Sequence, residues 1–368
     1  MSEKFNQQGV KGFVFQGQIT AVQPLATCSK DLLDREGGGE KPIPIPSCST
    51  GKGMRLYFPG TGIRGTMRRA VLAAIREEVT MKTGNATPFS LDEHYLGVLG
   101  GIKGDGGMER SSVAHLADWR EKNPLLSMFG AGDAGFLGFV RGNLDVGNAI
   151  CVNAGPQSAS TFSGARTDEF YRNTEQVKFL SEDDVATLVR RAKGGKGASE
   201  LKAQIKKAEG ELKKAQKLND GSALTIQENI KSLTKELELL KEESGTSDNS
   251  IGRPLAGYKA IPIGEEMTHR IKLLQSNDIE LGCLLAGLNH FSLTSCSIGA
   301  HASVGCGEIA ATWTVYELTP NGKKEIGRVS LGDFEPLVIE GEKLVAAMGE
   351  FKSFMQSDLP NFVIPTLE

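Results

Sequence analysis

The sequence lacks the features of membrane and secreted proteins. No apolar run is long enough to span a bilayer, and the first residues, MSEKFNQQGVKG, contain no apolar stretch of the signal-peptide type. The six cysteines include no C-x-x-C pair, which favours a reduced thiol state over a disulfide scaffold. We therefore expect a cytoplasmic protein with no membrane association.

Common catalytic and cofactor motifs are missing as well. No Gly-Lys-Ser/Thr closes a P-loop, and no Ser or Cys nucleophile pattern accompanies His94 or His115. Four potential zinc ligands lie close together in sequence, but without the spacing of a common ligand pair: His290, Cys296, His301 and Cys306. We therefore predict no cofactor and no metal.

A large excess of charge of one sign is also absent, with 42 Lys and Arg against 45 Asp and Glu. The chain has 368 residues, of which 39% are hydrophobic, and its formal net charge is −3. This length and composition can fill a substantial core. No overall field draws such a protein to RNA or DNA, so any contact with nucleic acid must come from local basic clusters.

Hydrophobic patterning predicts an α+β fold. Residues 12–22 alternate apolar and polar side chains, which indicates a first strand with a buried face at Phe13, Phe15, Ile19 and Ala21. A long loop follows over 23–54. A helix then starts within 59–70, with apolar residues three to four positions apart at Ile63, Met67, Ala70, Val71, Ala74 and Ile75.

The same order recurs near the C-terminus. Residues 268–274 have the pattern of a strand, Asn277 and Glu280 that of a capping box, and 310–318 that of another strand. Two strand–helix–strand passes predict a ferredoxin-like (RRM-like, split βαβ) core with large insertions. The predicted division is a core at 1–180 and 251–335, an insertion at 181–250, and a C-terminal helix and tail at 336–368.

The insertion carries a heptad pattern. Apolar residues step by four and three within 201–215 and again within 226–240, with a break at 219–222. This pattern predicts an antiparallel helical hairpin over 199–244, flanked by flexible polar segments at 193–197 and 244–250. The hairpin either serves a partner or is a solvated structural insert.

The stretch PGTGIRGTMRRA, residues 59–70, has the G-x-G-x-x-G spacing of a dinucleotide-binding turn. No acidic residue follows on a second strand, so the nicotinamide interpretation is disfavoured. A glycine turn that opens a helix can still hold phosphate. Arg64 and Arg68 lie at the rim of the apolar stripe, Arg69 and Arg76 on the opposite face, and further basic residues precede them at Lys52 and Arg55. Such density suits a polyphosphate backbone, although arginines also solvate surface helices.

These residues resemble a known family. FPGTGIRGTMRRAV is similar to the I-P-G-x-S-I/L-K/R-G-x-x-R motif of the RAMP superfamily, and in particular of the repeated backbone subunit of multisubunit CRISPR effector complexes. Three further features agree in order: the glycine-interrupted first strand, the MFG segment at 128–130, and the loop SIGAHASVGCGEI at 297–309. The resemblance covers 12–180 and 251–318, and the hairpin and chain length are most similar to the type IV branch.

The resemblance implies a function in antiviral defence. Subunits of this family polymerise along a guide RNA (crRNA) in a helical filament, hold its ribose-phosphate backbone in a palm groove beside a projecting thumb, and present it for pairing with target nucleic acid. The implied partners are the guide, the target, copies of this chain and other effector subunits. The motif positions implied to touch the guide are Thr61, Gly62, Arg64, Gly65 and Arg68, with His301, Ser303 and Gly305 of the C-terminal loop beside the same groove. Lys52 and Arg55 complete the predicted RNA-binding set.

Two alternatives remain open. Some relatives cut target RNA with an aspartate in a G-x-D-x-P context on the loop after the first strand; Glu40 matches that position here, with Asp31 and Asp34 nearby. Glu for Asp moves the carboxylate by a methylene, and an error of about 1 Å can cost on the order of a hundredfold in rate, so we favour a subunit without catalytic residues. The second alternative is a coiled-coil scaffold in which the helical hairpin carries the function.

Overall fold

The computed structural model describes residues 12–27, 42–84, 90–100, 113–131, 140–162, 181–218, 223–244, 257–332 and 334–362. The chain forms two compact units. The first comprises residues 1–162 and 257–368, and the second comprises residues 163–256. Among the described helices, none combines the length and the hydrophobicity needed to cross a bilayer.

An antiparallel sheet of nine strands forms the frame of the first unit. Eight strands follow one another across it in the order β11-β10-β9-β1-β8-β5-β3-β2, and β4 also pairs with β8. The strands are β1 (Gly12–Ala21), β2 (Ser47–Thr50), β3 (Gly53–Phe58), β4 (Leu144–Val146), β5 (Ala149–Cys151), β8 (Glu266–Leu274), β9 (Ile309–Thr319), β10 (Gly322–Leu331) and β11 (Val338–Glu340). A separate two-stranded ribbon pairs β6 (Ser160–Phe162) with β7 (Tyr258–Ala260).

Helices complete the first unit. They are α1 (Gly60–Thr83), α2 (Leu91–Leu99), α3 (Val113–Lys122), α4 (Pro124–Phe129), α7 (Asp278–Thr294) and α8 (Glu342–Gln356). β1 pairs antiparallel with both β8 and β9, and β8 pairs antiparallel with β5. The order β1-α1-β5-β8-α7-β9 is therefore that of two interleaved strand–helix–strand passes, as in a split βαβ motif. The predicted α+β class is confirmed.

The core lies between the sheet and helices α1, α7 and α8. The predicted inward face of β1 is fully buried, and so is the predicted apolar stripe of α1. Two glycines let the helices approach closely. A Cβ at Gly287 of α7 would lie 2.3 Å from Val71 Cγ2 of α1, and one at Gly282 would lie 2.0 Å from the Ala347 carbonyl oxygen of α8. Helix α8 therefore packs within the first unit.

The capping box predicted for α7 is confirmed. The Asn277 side chain accepts a hydrogen bond from the Glu280 N–H at 2.9 Å, and the Glu280 carboxylate accepts one from the Asn277 N–H at 3.1 Å. This pair satisfies two backbone donors at a buried helix end. The glutamate itself is buried, and burial raises the pKa of its carboxyl.

Two parts of the chain differ from the sequence prediction. The predicted loop at 23–54 contains β2, which pairs with β3 across the tight turn of Gly51 and Lys52. Gly53 has φ of 100°, which a glycine adopts at low cost. Helices α2 and α3 are further elements that the sequence patterns did not predict. The capping box of Ser90 and Glu93 starts α2.

The second unit contains the predicted pair of helices, α5 (Glu182–Leu218) and α6 (Ala223–Ser244). They contact each other along their length, with Ala208, Ala215 and Leu237 buried at the predicted heptad positions. Helix α5 starts 17 residues before the predicted position 199 and runs through KGGKG at 193–197. The prediction of a flexible segment there was wrong, because helix propagation from both sides outweighs the cost of three glycines.

Candidate nucleic-acid interface

The first turn of α1 is the start of the quoted glycine motif. Pro59 is the N-cap and has no N–H to satisfy. The Gly60 N–H donates to Asn148 Oδ1 at 2.8 Å, and the Gly62 N–H donates to the Pro59 carbonyl at 3.0 Å. These donors are therefore used within the chain. The glycine turn therefore does not offer the Gly60 and Gly62 N–H groups to an anion. An anion at this helix start would have to contact side chains instead.

Gly60 has a packing role. A Cβ there would lie 2.4 Å from the Val146 carbonyl oxygen and 2.6 Å from that of Gly147, both backbone atoms. The start of α1 is therefore pressed against the chain between β4 and β5. Only a residue without a side chain fits at this position.

A buried histidine supports the same chain segment. Trp313 Nε1, which can only donate, is 3.2 Å from His269 Nδ1, so Nδ1 accepts. The neutral ring then carries its proton on Nε2 and donates it to the Gly147 carbonyl at 3.1 Å. Burial lowers the pKa of His269 to about 4, against the opposing effect of the Gly147 hydrogen bond. The ring is therefore neutral at physiological pH.

This histidine makes stability depend on pH. Because its folded-state pKa lies below its ordinary value of 6.5, the neutral ring contributes its full stability above pH 6.5 and loses it as the pH falls toward 4. We expect the free energy of unfolding to fall by about 2 kcal/mol between pH 6.5 and pH 5 from this group. Urea unfolding of wild type and His269→Gln at both pH values measures it. Equal losses in the two proteins would contradict it.

Arg68, a predicted RNA contact, is buried in the structure. Its side chain is only 6% exposed. Nε donates to the Gly97 carbonyl at 2.7 Å, and Nη2 donates to Leu96 at 2.6 Å and to Gly130 at 3.0 Å. Leu96 and Gly97 lie in the last turn of α2, where the negative end of the helix dipole favours a cation. Arg68 therefore joins three segments of the chain and is not available to phosphate.

Arg64 is half-buried and also used internally. Nη2 donates to the Phe129 carbonyl at 2.6 Å, and Nε donates to the Leu144 carbonyl at 3.4 Å. The guanidinium also lies 5.5 Å from the centre of the Phe129 ring, opposite Arg68 at 5.8 Å. Burial lowers the pKa of Arg64, while nearby Asp145 raises it. Arg64, also predicted to contact the guide, thus connects α1 to α4 and β4.

The exposed cation of the motif is Arg69. Sequence spacing assigned it to the opposite face from the predicted site. In the structure its Nη2 donates to Thr66 Oγ1 at 3.2 Å, and Nη1 lies 3.9 Å from where a Cβ of Gly65 would be. Exposed Thr61, Gly62 and Arg69, together with half-buried Gly65 and Thr66, lie on one face of the first three turns of α1. We call this surface, Thr61, Gly62, Gly65, Thr66 and Arg69, the glycine face.

The two upstream basic residues differ in availability. Lys52 is exposed in the turn between β2 and β3. Arg55 is half-buried, and its Nε donates to the Val152 carbonyl at 3.1 Å. Arg55 therefore anchors β3 to the chain after β5, and Lys52 keeps its predicted accessibility.

The C-terminal glycine loop reaches the start of α1 through one aromatic ring. A Cβ at Gly299 would lie 2.9 Å from Phe58 Cε2, and a Cβ at Gly62 would lie 3.1 Å from Phe58 Cε1. The loop also packs on the chain after β1, because the Ala300 N–H donates to the Ala26 carbonyl at 2.9 Å. The structure thus brings together two glycine segments that are more than 200 residues apart in sequence.

His301, Ser303 and Gly305 of this loop are all exposed. The His301 ring lies flat on Tyr258, with centroids 3.9 Å apart and planes at 11°. Tyr258 is paired across the two-stranded ribbon with Phe162, whose ring is 5.4 Å away at 16°. Sequence reasoning missed this group, because no local pattern connects positions 162, 258 and 301. We call these three rings the aromatic stack.

The residues of the nuclease hypothesis, Asp31, Asp34 and Glu40, lie outside the described part of the chain. Two of the potential zinc ligands, His290 and Cys296, have other partners in the structure. His290 Nδ1 lies 3.0 Å from Glu77 Oε1. The Cys296 thiol is buried and donates a hydrogen bond to the Ile309 carbonyl at 3.0 Å. Within the described ranges, no three His, Cys, Asp or Glu side chains are grouped as metal ligands would be.

No family model and no curated protein matches the chain. Among solved structures, a chain of one titled "Type IV-B CRISPR Complex" is similar. The aligned residues are 11% identical and cover 83% of this chain and 90% of that chain, with a TM-score of 0.38.

Proposed function

We propose that this protein is a non-catalytic, guide-RNA-binding backbone subunit of a multisubunit CRISPR effector complex. The observation that carries the proposal is the shared contact of Gly62 and Gly299 with the Phe58 ring. It joins the two glycine segments that resemble the RAMP superfamily, so both border one surface. A ligand with an extended backbone can contact both segments at once.

The glycine face suits a ribose-phosphate backbone in two ways. Its small residues leave room for the chain of the ligand to approach the helix, and Arg69 supplies a charge at its end. Lys52 supplies a second exposed cation in the turn between β2 and β3, at the opposite end of β3 from α1. Contacts to phosphate carry no base information, so the guide itself provides sequence specificity by pairing with its target. The same proposal gives the protein copies of itself and other effector subunits as partners in the cytoplasm.

Charge reversal at the two exposed cations tests the proposal. We expect Lys52→Glu/Arg69→Glu to weaken binding of single-stranded RNA by at least tenfold and to reduce the salt dependence of log Kd by about 1 to 2, since each lost phosphate contact removes about one unit of slope. Fluorescence anisotropy over a salt series measures both quantities. The ratio of absorbance at 260 to 280 nm after purification beside a CRISPR array reports RNA retention.

The matched control is Lys324→Glu/Lys352→Glu. These lysines are exposed on β10 and α8 and change the net charge by the same amount. We expect this control to bind RNA within about twofold of wild type, because screened charges away from the contact contribute little. Equal losses in both pairs would mean that only net charge matters. A wild-type protein free of RNA and unable to bind it would overturn the proposed function.

A further inference from the structure

The aromatic stack consists of three near-parallel rings from three parts of the chain. Phe162 ends β6, Tyr258 begins β7, and His301 follows the glycine turn of the C-terminal loop. The Tyr258 hydroxyl lies 3.3 Å from Cys306 Sγ, which fixes the ring from its far edge. This hydrogen bond and burial raise the pKa of Tyr258 to about 12, so the phenol stays protonated. The stack is therefore held from both the ribbon and the loop.

His301 is the outermost member. One face of the His301 ring covers Tyr258, yet the residue is exposed. A ligand would therefore meet the other face and the edges of the ring. Its backbone has φ of 65°, a conformation that a residue with a side chain adopts at a cost. The chain thus keeps a histidine at a position where glycine would fit more easily. Strain of this kind at an exposed residue is typical of functional positions.

Among the described residues, those beside the stack on the loop side are exposed. Ser303, Val304 and Gly305 are exposed next to His301, and a Cβ at Gly305 would meet no atom within 4 Å. The backbone on the other side is fixed by pairing, since Ala26 bridges to Ala300 and Ile43 bridges to Tyr258. A planar ligand can therefore reach the outer face of His301 without displacing any of these backbone segments.

We propose that the outer face of His301 stacks an unpaired nucleobase of the bound RNA, with Tyr258 and Phe162 as its support. This inference rests on the proposed function and adds a base contact to a surface otherwise suited to phosphate. Every nucleobase has a flat apolar face, so such a contact is tolerant of sequence. It holds one base of the strand at a fixed place beside the glycine face.

The test separates the base from the backbone. Binding is measured for a single-stranded rA 12-mer and for an abasic ribose-phosphate 12-mer, with RNA-free full-length protein. The variant His301→Asn removes the ring and keeps a residue that tolerates positive φ. His301→Trp restores a larger ring. We expect His301→Asn to weaken rA binding about tenfold, with abasic binding within twofold of wild type, and His301→Trp to bind rA at least as tightly as wild type.

Each other outcome identifies which idea fails. The stacking role is overturned if wild type binds both oligomers and His301→Asn binds each with wild-type affinity. It is also overturned if His301→Asn lowers the affinity for both oligomers equally. In either case the phosphate surface stands. If wild type binds neither oligomer, the proposed function and the stacking role fail together. Thermal unfolding of both variants within a few degrees of wild type shows that the loop keeps its fold.

Discussion

Replacing Arg68 by methionine is expected to lower the free energy of unfolding by about 3 to 4 kcal/mol, whereas Arg69→Met changes it by no more than about 0.5 kcal/mol. The two arginines are adjacent in sequence but differ in environment. The Arg68 guanidinium donates to three buried carbonyls, and methionine of similar length would leave all three without that partner. Arg69 is exposed and donates only to the side chain of Thr66 among the contacts described.

The ionisation state of Arg68 supports this expectation. Burial, and then the proximity of Arg64, lower its pKa to about 10, so the side chain still carries its charge at neutral pH. The charge is balanced by carbonyl dipoles at the end of α2 and by the Phe129 ring. Removing it therefore releases the α2 end and the Gly130 turn from α1 at once.

Chemical unfolding followed by circular dichroism measures the stability of both variants, and anisotropy measures their RNA binding. We expect the two variants to rank in opposite order for stability and for RNA affinity. Arg68→Met is the less stable but, where folded, binds RNA more tightly because it retains the exposed Arg69. Arg69→Met is stable and binds RNA less tightly. A stable Arg68→Met protein with weakened RNA binding would show that Arg68 leaves its buried position to contact the ligand, as the motif resemblance implied.

The local parts of the fold could be predicted from sequence because their signals are short-range. Alternation in β1, the stripe of α1 and the Asn277 and Glu280 capping box each depend on residues within a few positions of one another. The spacing of apolar residues shows which face of each strand or helix is buried, because apolar side chains are removed from water on folding. The order of these elements then sufficed to predict the α+β class.

The placement of the arginines could not be predicted in the same way. Spacing fixes the angle of Arg68 around α1, but it does not show what packs on that side. Helix α2 covers Leu72 so closely that a Cβ at Gly97 would lie 2.9 Å from its side chain. This contact extends the buried arc of α1 past the apolar stripe and encloses Arg68. The Ser90 and Glu93 capping box marks the start of this helix, but no local pattern shows that the helix packs over Arg68.

The aromatic stack illustrates the same limit at longer range. Phe162 and Tyr258 meet only because the chain leaves the first unit after β6 and returns at β7. His301 joins them through a loop that pairs with the chain after β1. Contacts of this kind depend on the closure of long segments, which leaves no periodic signal in any window of the sequence.

The glycines of the motif give the second large expected effect. We expect Gly60→Ala to lower the free energy of unfolding by about 2 to 3 kcal/mol, because the new methyl would overlap two backbone carbonyls that cannot move without shifting β4 and β5. Gly65→Ala is expected to raise it by about 0.5 to 1 kcal/mol. Among the described side chains, only the tip of Arg69 comes within 4 Å of that position, and alanine is the better helix former.

RNA binding separates the two roles further. Gly65 makes the helix less stable than alanine would, and no described residue packs closely on it. The proposed approach of the RNA backbone gives a reason for glycine at this position. Gly65→Ala should therefore bind RNA several-fold more weakly while unfolding at higher urea concentration than wild type. Gly60→Ala, measured where it is still folded, should bind as wild type does. If Gly65→Ala gains stability with no loss of RNA affinity, the close approach of the RNA backbone to α1 is ruled out, and the contact must lie at Lys52 and the C-terminal loop instead.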